Sequence, residues 1–318
     1  MEFLDTYVDL CRTLGPLVDW VQGAGGNISF KNARQLLIKA SGFALGATSR
    51  SEGWVCCDLQ KVLGLFEMGN EDFTGVVVEG TGKPSIETFL HCLPKKIVVH
   101  LHPMNFLPFL CSSDKTATET YPIIPYIKPG LQLGKALFDV YNPATKVYWL
   151  ANHGVVIAAD NLNEIFDSLK TLQSKIPVSS PKSDPIFVYK LRRAFHQDLL
   201  IRPILQAHPS TFHSRVFLPY TPDIVVFLQQ APLFFDELVP NPEDALAKYV
   251  ATYGTHPTII YTPCMIYSVS PSLIKCVAIE EIFCAYLRIP STDTLFLDAP
   301  QVDELVNWDK EKERKHAK

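Results

Sequence analysis

The stretch that decides the reading is Ile97-Val98-Val99-His100-Leu101-His102-Pro103. A β-branched run closed by a proline predicts a strand over Ile97–His102. Strand side chains alternate between faces, so His100 and His102 point the same way with Cα atoms ~6.6 Å apart, while Val99 and Leu101 face a core. Two imidazoles at that separation can close on one metal ion. An isolated His-x-His is more often a pair of structural histidines on a buried strand, so the reading turns on what other donors the chain offers.

A third imidazole is offered by His153, in Asn152-His153-Gly154. That tripeptide sits between two strand-like runs, Tyr148–Leu150 and Val155–Ala158, where a glycine frees the backbone and lets the ring project into a cleft. Three histidines leave one coordination position open, as in catalytic rather than closed structural zinc sites. Glu87, in Lys83-Pro84-Ser85-Ile86-Glu87-Thr88, lies in the first turn of an expected helix from Pro84 to about Leu93. There a lone carboxylate commonly complements the helix dipole. Beside a metal it would instead act as a general acid–base. His91, one turn later, reads as a packed or capping residue.

Three short elements are suited to an anion. Gly25-Gly26-Asn27 presents backbone N–H groups in a turn, Ser41-Gly42 ends a strand with a hydroxyl and a small residue, and Ser85 stands at the expected helix N-terminus. Lys39 and Lys83 are nearby sources of positive charge, although surface lysines are the default.

Composition removes several classes of function. Apolar residues make up 47% of the 318 residues and charged residues 19%, which supplies a buried core and excludes a disordered chain. A net charge of −4 gives no global basic field for nucleic acid. No apolar run approaches the ~20 residues of a bilayer span, and Met1–Asp5 has no basic signal-peptide region, so a cytoplasmic protein is expected. Eight cysteines without a Cys-x-x-Cys pair read as buried free thiols in a reducing compartment, and none joins the histidines.

Along the chain, helical spacing over residues 3–18 predicts an amphipathic first helix. A hairpin follows (Ile28–Phe30 and Leu36–Ala40), then extended segments near Gly53–Asp58 and Gly75–Glu79, and a helix over Asn163–Lys175. Ile176–Pro185, with three prolines and three serines, is the best linker. It separates a domain at 1–177 from a smaller α/β region at 186–310 and a charged tail at 311–318. The second region shows helical signal near Phe187–Arg202 and strand signal near Ile224–Leu228 and Thr258–Tyr261. A pattern of strand, turn, strand and helix recurs with little identity: a shift of 111 residues lays Leu273 over Leu162 and Cys264 over His153. As a degenerate repeat, the second region has lost that histidine.

Taken in order, six blocks resemble the class II aldolase/adducin family. They are Gly23-Ala24-Gly25-Gly26-Asn27-Ile28-Ser29, Ile38-Lys39-Ala40-Ser41-Gly42-Phe43, Lys83-Pro84-Ser85-Ile86-Glu87-Thr88, Val99-His100-Leu101-His102-Pro103, Pro125-Tyr126-Ile127-Lys128-Pro129-Gly130 and Ala151-Asn152-His153-Gly154-Val155-Val156. The resemblance implies an α/β/α sandwich with a central, mostly antiparallel sheet, assembled as a homo-oligomer, a tetramer with active sites between subunits.

It also implies Zn2+, or another divalent metal, on His100, His102 and His153, with Glu87 as the catalytic acid–base. Gly26, Asn27, Ser41, Gly42 and Ser85 would hold the phosphate of a carbohydrate substrate. Ile86 stands where short fuculose-phosphate-type enzymes have a hydroxyl residue, so one phosphate donor is missing. The ending Glu304–Lys312 resembles the close of longer aldolase modules, which makes 186–310 an accessory half. The implied activity is retro-aldol cleavage of a ketose or ketose phosphate through a metal-stabilised enediolate. An epimerase, a decarboxylase or a dehydratase on the same metal scaffold is the alternative, and a non-catalytic adducin-like binding module is another.

Overall fold

The structure, a computed structural model, describes residues 3–112, 121–176, 182–195, 197–207, 218–221, 223–228, 231–237, 241–287 and 297–307. The tail 311–318, residues 177–181 of the expected linker, Trp308–Lys312 of the family-like ending, and His196, His208, His213 and His316 therefore lie outside the described residues. Two compact units divide the chain, Met1–Ser180 and Pro181–Lys318.

The first unit opens with α1 (Leu4–Leu14). The helix is shorter than the apolar spacing predicts because Gly15-Pro16 follows, and a proline there would remove the backbone bond to Arg12 and clash with its carbonyl. Strands β1 (Asn27–Lys31), β2 (Gln35–Lys39) and β3 (Trp54–Asp58) run antiparallel in sequence. Next come α2 (Leu59–Met68), capped by Asp58, and β4 (Val77–Gly80). The segment expected as a helix after Pro84 is only a 3-10 turn, Thr88–Cys92. Its backbone bonds span three residues, Thr88 N to Ser85 O and Leu90 N to Glu87 O, and Pro94 prevents further winding.

Then follow β5 (Ile97–Leu101), the single-turn α3 (Leu107–Leu110), β6 (Ile123–Ile124), α4 (Leu131–Asp139), β7 (Val147–Leu150), β8 (Gly154–Ala159) and α5 (Leu162–Ser174). The eight strands form one sheet in the order β4-β3-β2-β1-β5-β8-β7-β6. Only β6 and β7 pair in parallel, so the sheet is mostly antiparallel as expected. α2, the 88–92 turn and α4 bury one face against Leu36, Ile38, Val55, Val98, Tyr148 and Val156. α1 packs on β1, and α5 on β5 and β8.

The second unit holds α6 (Pro185–Ala194), β9 (Leu200–Pro203), β10 (Leu233–Phe234), α7 (Glu243–Tyr253), β11 (Ile259–Tyr261), β12 (Ile266–Ser270), α8 (Leu273–Tyr286) and α9 (Ala299–Asn307). Two local expectations fail here. The helix expected to run to Arg202 stops at Ala194, because Leu200–Pro203 pairs with β12 instead. Ile224–Leu228 is a π-helical turn and not a strand; a five-residue apolar run does not distinguish a strand from a buried helical segment.

The four strands form a sheet ordered β10-β11-β12-β9. β9 is antiparallel to β12, β12 to β11, and β11 is parallel to β10. β5, β8, β7 and β6 of the first unit have the same order and senses. Both α5 and α8 follow directly, start at Leu162 and Leu273, and are capped by Asn161 and Ser272. The strand–turn–strand–helix recurrence predicted from sequence is thus present in the topology.

Candidate metal centre

β5 lies between β1 and β8, so His100 has Asn27 beside it on one neighbour and Val156 on the other. His100 is fully buried, and its Nδ1 donates to the carbonyl of Val155 at 3.0 Å. That bond fixes the tautomer and leaves Nε2 with a lone pair. Nε2 of His102 faces it at 2.9 Å. His102 is seated by its backbone, whose N–H donates to Trp20 O and whose carbonyl accepts from Gln22 Nε2 at 3.2 Å. Gly25 makes room for the ring: a Cβ there would stand 2.8 Å from His102 Nδ1.

His153 arrives from the turn between β7 and β8. The residue that takes the left-handed backbone in that turn is Asn152, with φ 55°, not the glycine that the sequence suggested. Gly154 serves another purpose: a Cβ on it would lie 2.3 Å from the carbonyl of Leu101. Only glycine lets β8 close onto the end of β5 there, which carries His153 to the other two rings. The ring centroids form a near-equilateral triangle, 4.8 Å for His100–His102, 4.8 Å for His100–His153 and 5.1 Å for His102–His153.

Glu87 completes the group. Its Oε1 lies 3.1 Å from His153 Nε2 and 3.5 Å from His100 Nε2. One ligand atom from each of Glu87, His100, His102 and His153 lies within 4.8 Å of all the others, a candidate metal-binding cluster. The surroundings fit a divalent cation. Glu87 Oε1 and His153 Nδ1 are buried without a hydrogen-bond partner, and three imidazoles with one carboxylate suit a borderline metal. Burial pushes the His100 imidazole down to about 3, outweighing the carboxylate of Glu87. Burial followed by His153 lowers His102 as well. Both rings are therefore in the neutral form that binds metals. Burial by itself would raise the Glu87 carboxyl, but His100, His153 and Asn27 together hold it well below the usual range, so it is ionised.

The candidate anion elements gather at the same end of the sheet. Asn27 Nδ2 donates to Glu87 Oε2 at 2.8 Å, and Ser85 Oγ lies 3.4 Å from the same nitrogen. Ser41 N donates to Lys83 O, which ties the Ser41-Gly42 turn to the segment holding Ser85. Lys39 is buried rather than on the surface, and its Nζ donates to Ala24 O at 2.7 Å and Phe43 O at 2.8 Å, joining the glycine-rich loop to that turn. Gly26, Asn27 and Ser85 are buried, whereas Ser41, Gly42, Lys83 and Ile86 are exposed. Ser85 does not sit on a helix dipole, since only the five-residue 3-10 turn follows it; the same holds for Glu87, which precedes that turn. His91, read from sequence as a packed or capping residue, is fully buried and meets Asn27 through Nε2 and, through Nδ1, the equally buried Ser29, which sequence reasoning passed over. The signal was there in the i, i+2 spacing of Asn27 and Ser29 along a strand.

In the second unit, register puts Pro203 opposite Tyr267 as His100 stands opposite Val156, and Cys264 occupies the turn. Among the described residues, the cluster in the first unit is the one candidate metal site.

Fold and cluster together define an α/β domain with a candidate divalent-metal centre at one end of its sheet. Residues 5–176 match the Class II Aldolase and Adducin N-terminal domain, more than half of the chain, and the chain belongs to that family. Class II aldolases use a divalent metal. Among solved structures, the chain is similar to the N-terminal class II aldolase domain of a conserved protein from Thermoplasma acidophilum, with 26% identity, 52% of this chain and 87% of that chain covered, and a TM-score of 0.47. It is also similar to YgbL, a putative aldolase/epimerase/decarboxylase from Klebsiella pneumoniae, with 21% identity, 54% and 86% covered, and a TM-score of 0.42. L-fuculose-1-phosphate aldolase from Thermus thermophilus is 15% identical, with 61% and 97% covered and a TM-score of 0.38. Comparison with curated proteins yields no match.

Proposed function

We propose that the chain is a metal-dependent carbon–carbon lyase that cleaves a ketose, or ketose phosphate, by a retro-aldol reaction. The observation that carries this reading is the convergence of one carboxylate oxygen and three imidazole nitrogens within 4.8 Å in a buried end of the sheet. His100, His102 and His153 would hold the cation, with Zn2+ the best match to the donor set and another divalent metal the variant. When bound, the cation supplies Lewis acidity toward the substrate's carbonyl and adjacent hydroxyl oxygens.

The chain's own residues then have separate tasks. Glu87, ionised and facing the cluster through Oε1, takes up or returns the proton at the carbon next to the carbonyl. Asn27 and Ser85 keep that carboxylate in place. Gly26, Asn27, Ser41, Gly42 and Ser85 would receive the far end of the sugar, with phosphate as its natural charge. Lys39 joins the two loops that carry these residues and adds a buried positive charge beside them. Residues 186–310 would act as an accessory region, a degenerate copy without the histidines, in a cytoplasmic homo-oligomer; a tetramer is the form the family resemblance implies.

The test is product analysis with the metal-loaded chain on a panel of ketoses and ketose phosphates. Two carbonyl fragments support the lyase. Carbon dioxide, a C4 epimer or loss of water would identify the decarboxylase, epimerase or dehydratase instead. A chain that binds no metal and turns over no sugar would be an adducin-like binding module.

A further inference from the structure

The two carboxylate oxygens of Glu87 have different surroundings. Oε1 faces His153 and His100, while Oε2 accepts from Asn27 Nδ2 at 2.8 Å. Asn27 Nδ2 is the donor in that bond, so the amide presents its NH2 group there and turns its oxygen away. That oxygen meets Nε2 of His91, which must therefore carry the ring proton. His91 Nδ1 is then left as an acceptor, and it meets the hydroxyl of Ser29 at 2.7 Å. Each link thus has one direction: Ser29 donates to His91, His91 to Asn27, and Asn27 to Glu87.

Nothing in this chain is exposed to water that could substitute for a lost partner: His91 and Ser29 are 0% exposed and Asn27 1%. The backbone of the 88–92 turn is held as well, because Lys31 Nζ donates to the carbonyls of His91 and Leu93. Burial, and then Lys31, push the His91 imidazole well down, so it keeps the single ring proton the chain requires.

We propose that His91 is a positioning residue for Glu87: its Nε2–H locks the Asn27 amide in the orientation that anchors Oε2, leaving Oε1 as the one oxygen free to work at the three-histidine cluster. The consequence for turnover rests on the reading of Glu87 as proton carrier; the orientation itself does not. Without the His91 N–H, the amide loses its preference. Its flipped form would set an oxygen against Oε2, and the carboxylate would turn away or take up a proton.

The first measurement uses the full chain labelled with 15N-histidine, the His91 signals being those lost in His91→Gln. The neutral Nε2–H tautomer is expected across neutral pH, and an Nδ1–H tautomer or an imidazolium overturns the proposal whether or not the chain cleaves sugars. The second compares variants on a substrate of the panel. Gln places an N–H near Nε2, so H91Q keeps kcat within about threefold, while H91F, a ring without the donor, loses about 10–100-fold in kcat with KM and bound metal unchanged. Equal kcat for H91F and wild type overturns the proposal, as does an equal loss in both variants. If H91F does not fold, His91→Met, a flexible side chain that also lacks the donor, gives the same test.

Discussion

The Nε2 atoms of His100 and His102 face each other at 2.9 Å. Tetrahedral ligands on a cation at ~2.05 Å stand about 3.3 Å apart, so the two rings are near the spacing that a shared metal needs. The closeness follows from strand geometry. Both residues lie on one face at the end of β5, and the Val155 carbonyl turns His100 so that its lone pair points along that face. Buried nitrogens in this arrangement are satisfied by a shared proton or a shared cation, and the unpartnered Oε1 of Glu87 favours the cation.

Metal binding is the first consequence. Purified full-length chain should hold one divalent ion, and His153→Ala should weaken binding by more than the ~10–100-fold typical of an outer-shell partner. Elemental analysis and calorimetric titration of both proteins provide the check. Equal affinity would show that the three rings do not share an ion.

Replacing the carboxylate should separate binding from chemistry. Glu87→Gln is expected to keep the metal and to lower turnover about 10²–10⁴-fold, the usual contribution of a general acid–base. Full cleavage activity in this variant would remove Glu87 from the proton-transfer role.

The turn that delivers His153 gives a stability test. Gly154→Ala would push a methyl group into the Leu101 carbonyl, and a cost of about 1–3 kcal/mol is expected as β8 moves away from β5. Asn152→Val, at φ 55°, should cost ~1–2 kcal/mol, whereas Asn152→Gly should be neutral. Denaturant midpoints measure all three, and metal affinity should fall with the first. An unchanged Gly154→Ala midpoint would mean that the two strands tolerate separation.

Alkaline pH should destabilise the fold. Burial pushes the thiols of Cys11, Cys57 and Cys92 up to about 12, against about 8.5 in an unfolded chain. Below the unfolded value both states hold the proton. Above it the unfolded chain releases protons that the folded chain keeps, so stability falls as pH rises. Lys31 works in the opposite sense, since burial lowers it to about 8 and its contribution improves above that pH. Three thiols against one lysine predict a urea midpoint that drops between pH 9 and pH 11, with a shallower slope in Cys11→Ala. A midpoint that rises over this range would show that Lys31 governs.

Much of the first unit could be read from residue order. Period-two runs located β1, β2, β3, β5, β7 and β8, and the 111-residue recurrence pointed to α8 beneath Ser272 as well as α5 beneath Asn161. Where local signals misled, a competing constraint explains it. Gly15-Pro16 cut α1 short, Pro94 and the tether from Lys31 kept Thr88–Cys92 from becoming an α-helix, and pairing with β12 drew Leu200–Pro203 into a strand. Asn152 takes the backbone role expected of Gly154, because what matters at Gly154 is the space in front of Leu101, and a neighbouring strand creates that space.

By itself, the sequence determined which side chains share a face, since alternation along a strand is a local property: His100 with His102, Asn27 with Ser29. It also determined that the donors were imidazole and carboxylate, and hence the kind of cation they would suit. Only the tertiary structure decided that Asn27 comes level with His100, that Glu87 turns one oxygen to the histidines and the other to Asn27, and that His91 stands behind that amide. Those relations depend on the register of β1 against β5 and on how a short turn lies across them. Register is set by the packing of the whole sheet, a sum over distant residues that no single stretch of chain contains.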